Sequence, residues 1–444
     1  MSIGALAAIV LAALFAASTI YRRHFAARAD ALGASIARQS SAYQSRRWYR
    51  PVLRGDAVDG NAGDAQRAAL AKLEPLVPQI VAALGDWSPS GGVVEPPVAA
   101  ITFARNHDPE LAELRAGTQR RWAWDPRRIR AALRDRIPTD GTPLMVGRLL
   151  AARAMGSGAA ECFQIAADVI RLGQDAAAGT GRDPLLAGWR SASDAEAVIL
   201  HCAGRASVAE LRAGARELAI LARHPVSMGE ALEFEALAEA ASLRYAVRRA
   251  GDAPLVPQGG AVDNLMIAPA ADEAARSMLA ATSTVRAVRP ERYPASVGGL
   301  RALRARFARS PNRFLQSSAA IYDAEVSADQ GGAASLRATA VVLDALATWR
   351  ATGTFPSTAS ARQDRALVDP FTGTALHQRA SLPGGALTGT AHVSPPRGGL
   401  VVWSVGPNGR DDGATGDDIS CAALLTPASS ATATAPITPR GRPP

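Results

Sequence analysis

Residues 3–20, IGALAAIVLAALFAASTI, form an apolar run of eighteen positions without a charge, ended by Tyr21, Arg22, Arg23 and His24. As a helix the run would rise about 27 Å, close to the hydrocarbon thickness of a bilayer. An aromatic and basic border is what an interfacial anchor carries. No basic n-region precedes the run, so it predicts an uncleaved transmembrane anchor over 1–25. A cleaved signal ending near FAAS is the alternative. The helical pattern continues from Ala26 to Arg47 and breaks at YRPVLRGDAVDGNAGD. Residues 64–84 read as a helix kinked or split at Pro75 and Pro78. WSPSGGVVEPP then reads as a linker, so 26–105 is a juxtamembrane helix and linker.

Residues 106–330 read as a helical domain. Cys162, Ile165, Val169 and Leu172 step by three and four, as do Val208, Leu211, Ala215, Leu218 and Ala222. That spacing puts each set on one helix face. Helix starts are expected at Asp108-Pro109, Asp125-Pro126, Asp183-Pro184 and Ser310-Pro311. Ser193/Glu196, Ser207/Glu210 and Ser227/Glu230 have the spacing of capping boxes. Four or five antiparallel helices over 143–250 follow from these signals. No fixed repeat period is visible, which favours an irregular helical bundle over a solenoid. APLVPQGG breaks the pattern, and helices resume over 261–283 and 298–310. A helix over 331–352 ends at Gly353, and LVVWSV at 400–405 reads as a buried strand. The Pro/Thr/Ala-rich tail, 426–444, reads as disordered. The fold class is therefore mainly α: a transmembrane helix, a central helical bundle and a small C-terminal α+β module over 331–425.

Composition adjusts this picture in three places. The chain has 444 residues, enough for about two or three domains. Aromatics are only 5% against 48% hydrophobic residues, so the core must be built mostly of Ala, Leu and Val. The net charge of +9 is carried by arginine, with Lys72 the sole lysine. These arginines are interspersed with Ala and Glu along helices, as solvated faces are. That argues against nucleic acid; if the charge has a partner, membrane phosphates fit better. Cys162, Cys202 and Cys421 are too few for a disulfide framework. A Cys162–Cys202 bridge is possible, but buried free thiols are the expectation.

No His-Glu-x-x-His, Walker loop, Gly-x-Ser-x-Gly or Cys-x-x-Cys occurs. Zinc shared by Cys162, His201, Cys202 and His224 is disfavoured, because adjacent helix residues point about 100° apart. RNHDPE at 105–110 reads as a helix cap. RRWAWDPRR at 120–128 reads as aromatics anchoring a helix start under arginines, ahead of a base-stacking platform.

The densest chemistry is in VVWSVGPNGRDDGATGDDIS at 401–420, where Asp411, Asp412, Asp417 and Asp418 crowd one Gly-rich loop with Asn408. Ionised, these carboxylates repel; a divalent ion that takes six to eight oxygens relieves them. The EF-hand pattern fails, since Arg410 stands at the third position and Ile419 at the twelfth. An exposed turn without metal is the alternative.

Three segments come in order: LDALATWRATGTFPST, VDPFTGTAL and the acidic loop. Together, over about 331–421, they resemble the globular domain of the major pseudopilins of type II secretion systems. That family carries a helix followed by Gly-x-[Tyr/Phe]-Pro, an Asp-Pro-[Trp/Phe]-Gly-type segment and a calcium-binding final loop. The resemblance implies Ca2+, held by backbone carbonyls near Val405 to Asn408 and by Asp411, Asp412, Asp417 and Asp418. The amino terminus departs from the family: MSIGALAAIVL lacks the Glu that follows a prepilin-peptidase cut, and about 300 residues part the span from the module.

The expectation is a non-enzymatic, single-span envelope protein, anchored through 3–20, with protein partners and a link to secretion machinery. Arg22, Arg23 and Arg28 beside the span favour a cytoplasmic body by the positive-inside rule. Calcium at the millimolar level of extracellular sites favours an extracytoplasmic one, which is adopted here. The alternatives are an enzyme with a site in the helical body, or a cytoplasmic membrane-tethered binder of anionic lipid or nucleic acid.

Overall fold

In a computed structural model, α1 (Ile3–Gln44) runs unbroken from the apolar terminus into the body of the molecule. The residues described are 3–91, 95–124, 142–252, 261–288, 293–319, 324–355, 367–381, 387–388 and 399–424. The tail 426–444, the break at 253–260 and the Asp125-Pro126 junction lie outside them. Along α1, Ile9, Leu14, Phe15 and Ile20 are 56–69% exposed. From Phe25 onward one face turns inward, with Phe25, Ala29, Leu32, Ser40 and Tyr43 buried and Ile36 partly so. One helix thus has an apolar half whose large side chains at Ile9, Leu14, Phe15 and Ile20 are exposed and an amphipathic half that belongs to the core.

α10 (Met228–Asp252) and α11 (Ala261–Arg286) flank the amphipathic half. Glu233 of α10 gathers Arg46 at 2.7 Å and Arg286 of α11. Burial opposes its ionisation, yet the two guanidinium groups hold its carboxyl below the usual range. Arg28 pairs in the same way with the buried Asp272 of α11.

After α1 the chain forms a small sheet of β1 (Trp48–Tyr49), β2 (Val58–Asn61) and, later, β3 (Arg120–Ala123), in the order β1-β3-β2. Trp122 therefore lies on a strand, and the helix start expected at Asp125-Pro126 falls outside the described residues. Trp124 is buried against Tyr43, and Arg47 lies over Trp122, so both indoles are used within the chain. Pro75 and Pro78 split the next helical run into α2 (Ala62–Leu73) and α3 (Val77–Leu84). Among the described residues, Ala62–Gly91 is the stretch long and apolar enough to cross a membrane by length and composition. In the fold it is broken by the 3-10 turn Glu74–Leu76 and buries Ala69, Leu73, Ile80 and Leu84 in the core.

α4 (Val98–Asn106) and α5 (Asp108–Ala116) lead to the central helices α6 (Thr142–Met155), α7 (Ala159–Ala177), α8 (Arg182–Ala203) and α9 (Val208–Arg223). α7 and α8 cross backbone to backbone: a Cβ on Gly173 would stand 2.9 Å from the Gly188 carbonyl oxygen. Cys162 and Cys202 are joined in a disulfide between these helices, not left as free thiols; only Cys421 is free. The bond closes a 40-residue separation and contributes about 2–4 kcal/mol by restricting the unfolded chain. It also takes up both thiols that a zinc site would have used.

The capping signals divide. Ser207 and Glu210 form the expected capping box. Ser193 and Glu196 lie inside α8, where Ser193 bonds back to the Trp189 carbonyl and Glu196 is buried. The Ser227 hydroxyl accepts from Gly229 N and donates to Val288 O. Asp108 pairs with Arg153, and Asn312, two residues past Ser310, caps α13.

α12 (Tyr293–Ala308) and α13 (Arg313–Ala319) precede α14 (Ala324–Thr352), which ends at Gly353 with φ 72°. α14 packs on α8 and α9 with one side and on a four-stranded antiparallel sheet with the other. The sheet order is β5 (Leu387–Thr388), β4 (His377–Ser381), β6 (Gly399–Ser404), β7 (Ile419–Leu424). Leu400, Val402, Cys421 and Ala423 join the main core, which is continuous from Phe25 to Ala423. Val401 and Trp403 face the other way and pack with Ala414 and Ala422. The whole of β6 is buried because the acidic loop folds back over that outer face.

Candidate metal centre

Asp369 fixes where the acidic loop begins. Its side chain is fully buried, in the turn that precedes β4. One carboxylate oxygen accepts from Phe371 N at 2.8 Å and Ser404 Oγ at 3.0 Å; the other accepts from Val405 N at 2.9 Å. Thus the DPFTG turn is bonded to the end of β6 and the residue that follows it, and the turn and the acidic loop form one unit.

From there the backbone curls through left-handed residues at Gly406, Gly409, Gly413, Ala414 and Gly416. Gly406 is obligatory in this geometry, since a Cβ would collide with the Asp417 carbonyl. The curl brings Asp412, Asp417 and Asp418 together, each offering an oxygen within 4.8 Å of the others. Three hard oxygen donors so close can share one cation, and the donor type suits Ca2+ or Mg2+.

Burial pushes the Asp418 carboxyl up to about 6, with Asp411 and Asp412 adding to the effect. Its Oδ2 accepts from Ala414 N, while its Oδ1 is buried without a hydrogen-bond partner. An orphaned carboxylate oxygen beside two further carboxylates is the arrangement that a bound cation would satisfy.

Asp411 is not part of this group. Its oxygens are occupied by Trp403 Nε1 at 2.9 Å, Gly413 N at 3.0 Å and His377 Nδ1 at 3.2 Å. It ties the loop to the sheet. Asn408 stands at the cluster but presents its Nδ2 to Asp412 at 2.9 Å and to Asp417. In this arrangement it bridges two carboxylates as a donor; its oxygen accepts from Arg410 N.

Two buried acids escaped the sequence reading. Glu196 of α8 bonds Ser335 of α14, and burial pushes its carboxyl up to about 8. Asp329 of α14 accepts from Trp189 Nε1 at 2.8 Å, and burial pushes it up to about 7. The crevice at Asp329, lined by Trp189, Met228 and Gln330, holds about 10 Å³ of free space. That is room for one water, not for a substrate. In sequence, Glu196 was disguised by the Ser-x-x-Glu spacing, and nothing local marked Asp329.

The chain matches no protein-family model, and no curated protein or solved structure is significantly similar to it.

Proposed function

We propose that this is a single-span envelope protein whose body lies on the outer side of the membrane. In this reading its pseudopilin-like C-terminal module is stabilised by calcium. The observation that carries the proposal is the convergence of Asp412, Asp417 and Asp418 around the orphaned Asp418 Oδ1. Calcium would replace mutual repulsion by attraction and would hold the loop over Trp403. Residues 3–20 of α1 are the span in preference to Ala62–Gly91, because the exposed side chains of α1 rest on nothing, whereas α2 and α3 contribute to the core. The Cys162–Cys202 disulfide supports the outer side, since such bonds persist in oxidising compartments. A role beside secretion or pilus-like machinery rests on the resemblance of the module alone. The helical body serves as scaffold and partner surface.

The test is a thermal melt of the full chain in detergent, with millimolar calcium or with chelator. Calcium raises Tm in proportion to the logarithm of its concentration above Kd. Asp417→Asn abolishes the rise, whereas Asp411→Asn leaves it. Equal Tm with calcium and chelator, with the sheet folded, would remove the metal. Location is read separately by thiol alkylation. Because both are fully buried, Cys162 and Cys202 are probed after acid trapping and denaturation of the cells, where they should resist a maleimide until reductant is added; free thiols at both positions would place the body inside.

A further inference from the structure

The antiparallel register of the helices around α1 gathers arginines from three other segments at the end from which the apolar half emerges. The Tyr43 hydroxyl bonds Glu230 O, and Arg248 pairs with Asp30, so α10 descends α1 and ends beside its exit. α11 runs the other way: Asp272 meets Arg28 and Thr282 meets Gln39. α12 descends α11, because Gly299 lies by Thr284 and Asn312 bonds Ala270 O at 2.7 Å. The C-terminal ends of α10 and α12 and the start of α13 therefore share one rim. Arg23, Arg249, Arg309 and Arg313 are exposed on it, and none has a carboxylate partner among the described residues. Of the nearby carboxylates whose side chains are described, Asp30 is engaged by Arg248, Asp272 by Arg28 and Arg276, and Glu273 by Asn312.

Phe25, the first buried residue of α1, lies roughly 8 Å along the helix from Ile20, the last residue of the apolar run. That distance is about the depth of the headgroup layer. We infer that this rim is a docking surface for anionic phospholipid headgroups, seating the body directly on the bilayer. The inference rests on the proposed anchor. Positive charge from three helices and a loop complements lipid phosphates, and its continuity with an exposed apolar helix selects lipid over any soluble anion. Arginine suits this role because its planar fork pairs with phosphate oxygens.

The test uses the full chain in nanodiscs of phosphatidylcholine, with and without phosphatidylglycerol. Hydrogen exchange at the ends of α10 and α12 should slow on the order of tenfold in the anionic discs, and the effect should fade at high salt. The triple variant Arg249→Gln, Arg309→Gln, Arg313→Gln should keep its Tm in neutral discs and lose the anionic effect. Equal exchange in both lipids, or an anionic effect that survives the triple variant, overturns the inference. A chain that fails to float with vesicles of either composition would instead refute the anchor.

Discussion

Asp369→Ala should unfold the C-terminal module under conditions in which the parent chain stays folded. The carboxylate accepts three hydrogen bonds, from Phe371 N, Ser404 Oγ and Val405 N, at a fully buried position. Alanine leaves the buried Ser404 and Val405 donors without partners and without access to water, and the part-exposed Phe371 N–H loses its partner as well. Each buried stranded donor costs about 1–3 kcal/mol and the part-exposed bond about 1 kcal/mol, so the loss is roughly 3–7 kcal/mol. Removing the Asp411 carboxylate breaks its contacts to Trp403 Nε1, Gly413 N and His377 Nδ1, but at a position open to water, which takes up the freed donors, and should cost only about 1–2 kcal/mol. Urea unfolding followed by tryptophan fluorescence reads both, since Trp403 lies beneath the loop. The account fails if Asp369→Ala is no more destabilised than Asp411→Ala. Asp369→Asn, which keeps one acceptor oxygen, should fall between them.

Glu196→Gln should stabilise the protein at pH 8 and leave it nearly unchanged at pH 4.5. The Glu196 carboxyl is raised from 4.5 to about 8 by burial, and the Ser335 and Thr339 hydroxyls only partly offset this. Between those values the folded chain keeps a proton that the unfolded chain has released. Stability therefore falls as pH rises through this window and levels off above pH 8. The full loss is on the order of 5 kcal/mol. Glutamine has no proton to lose, so its curve lacks that decline while Ser335 keeps an acceptor. Asp329, raised from 3.8 to about 7, adds a second decline of the same sign along the same α8–α14 seam. Parallel stability curves for parent and variant from pH 4.5 to 9 would refute this account.

What could be read in the sequence was whatever local geometry writes into neighbouring residues. The split at Pro75 and Pro78, the end of α14 at Gly353 and the buried strand at β6 depend on proline chemistry, a left-handed residue and an apolar run. The mainly α architecture and the crowding of acids at 411–418 were legible for the same reason. What failed depended on partners far along the chain. Ser193 and Glu196 have capping spacing, but Glu196 faces Ser335, 139 residues on. The Cys162–Cys202 bond needed the close crossing of α7 and α8, which no spacing rule states. Asp411 looks like its neighbours in sequence and is set apart only because Trp403 and His377 lie beneath it. β1 and β3 are short strands whose pairing joins residues more than 70 positions apart, so neither carried a strand signal alone.

The continuity of α1 has a mechanical consequence. No hinge separates its apolar half from the half gripped by α10 and α11. The body cannot swivel on a tether; its azimuth about the helix axis is set by residue count. One alanine inserted between Ile20 and Phe25 would turn the body by about 100° relative to the apolar half and lift it by about 1.5 Å. Seven inserted residues would restore its heading and raise it by about 10 Å. With the proposed anchor in a bilayer, any surface that must meet a neighbour in the membrane plane is thus aimed by the phase of a single helix.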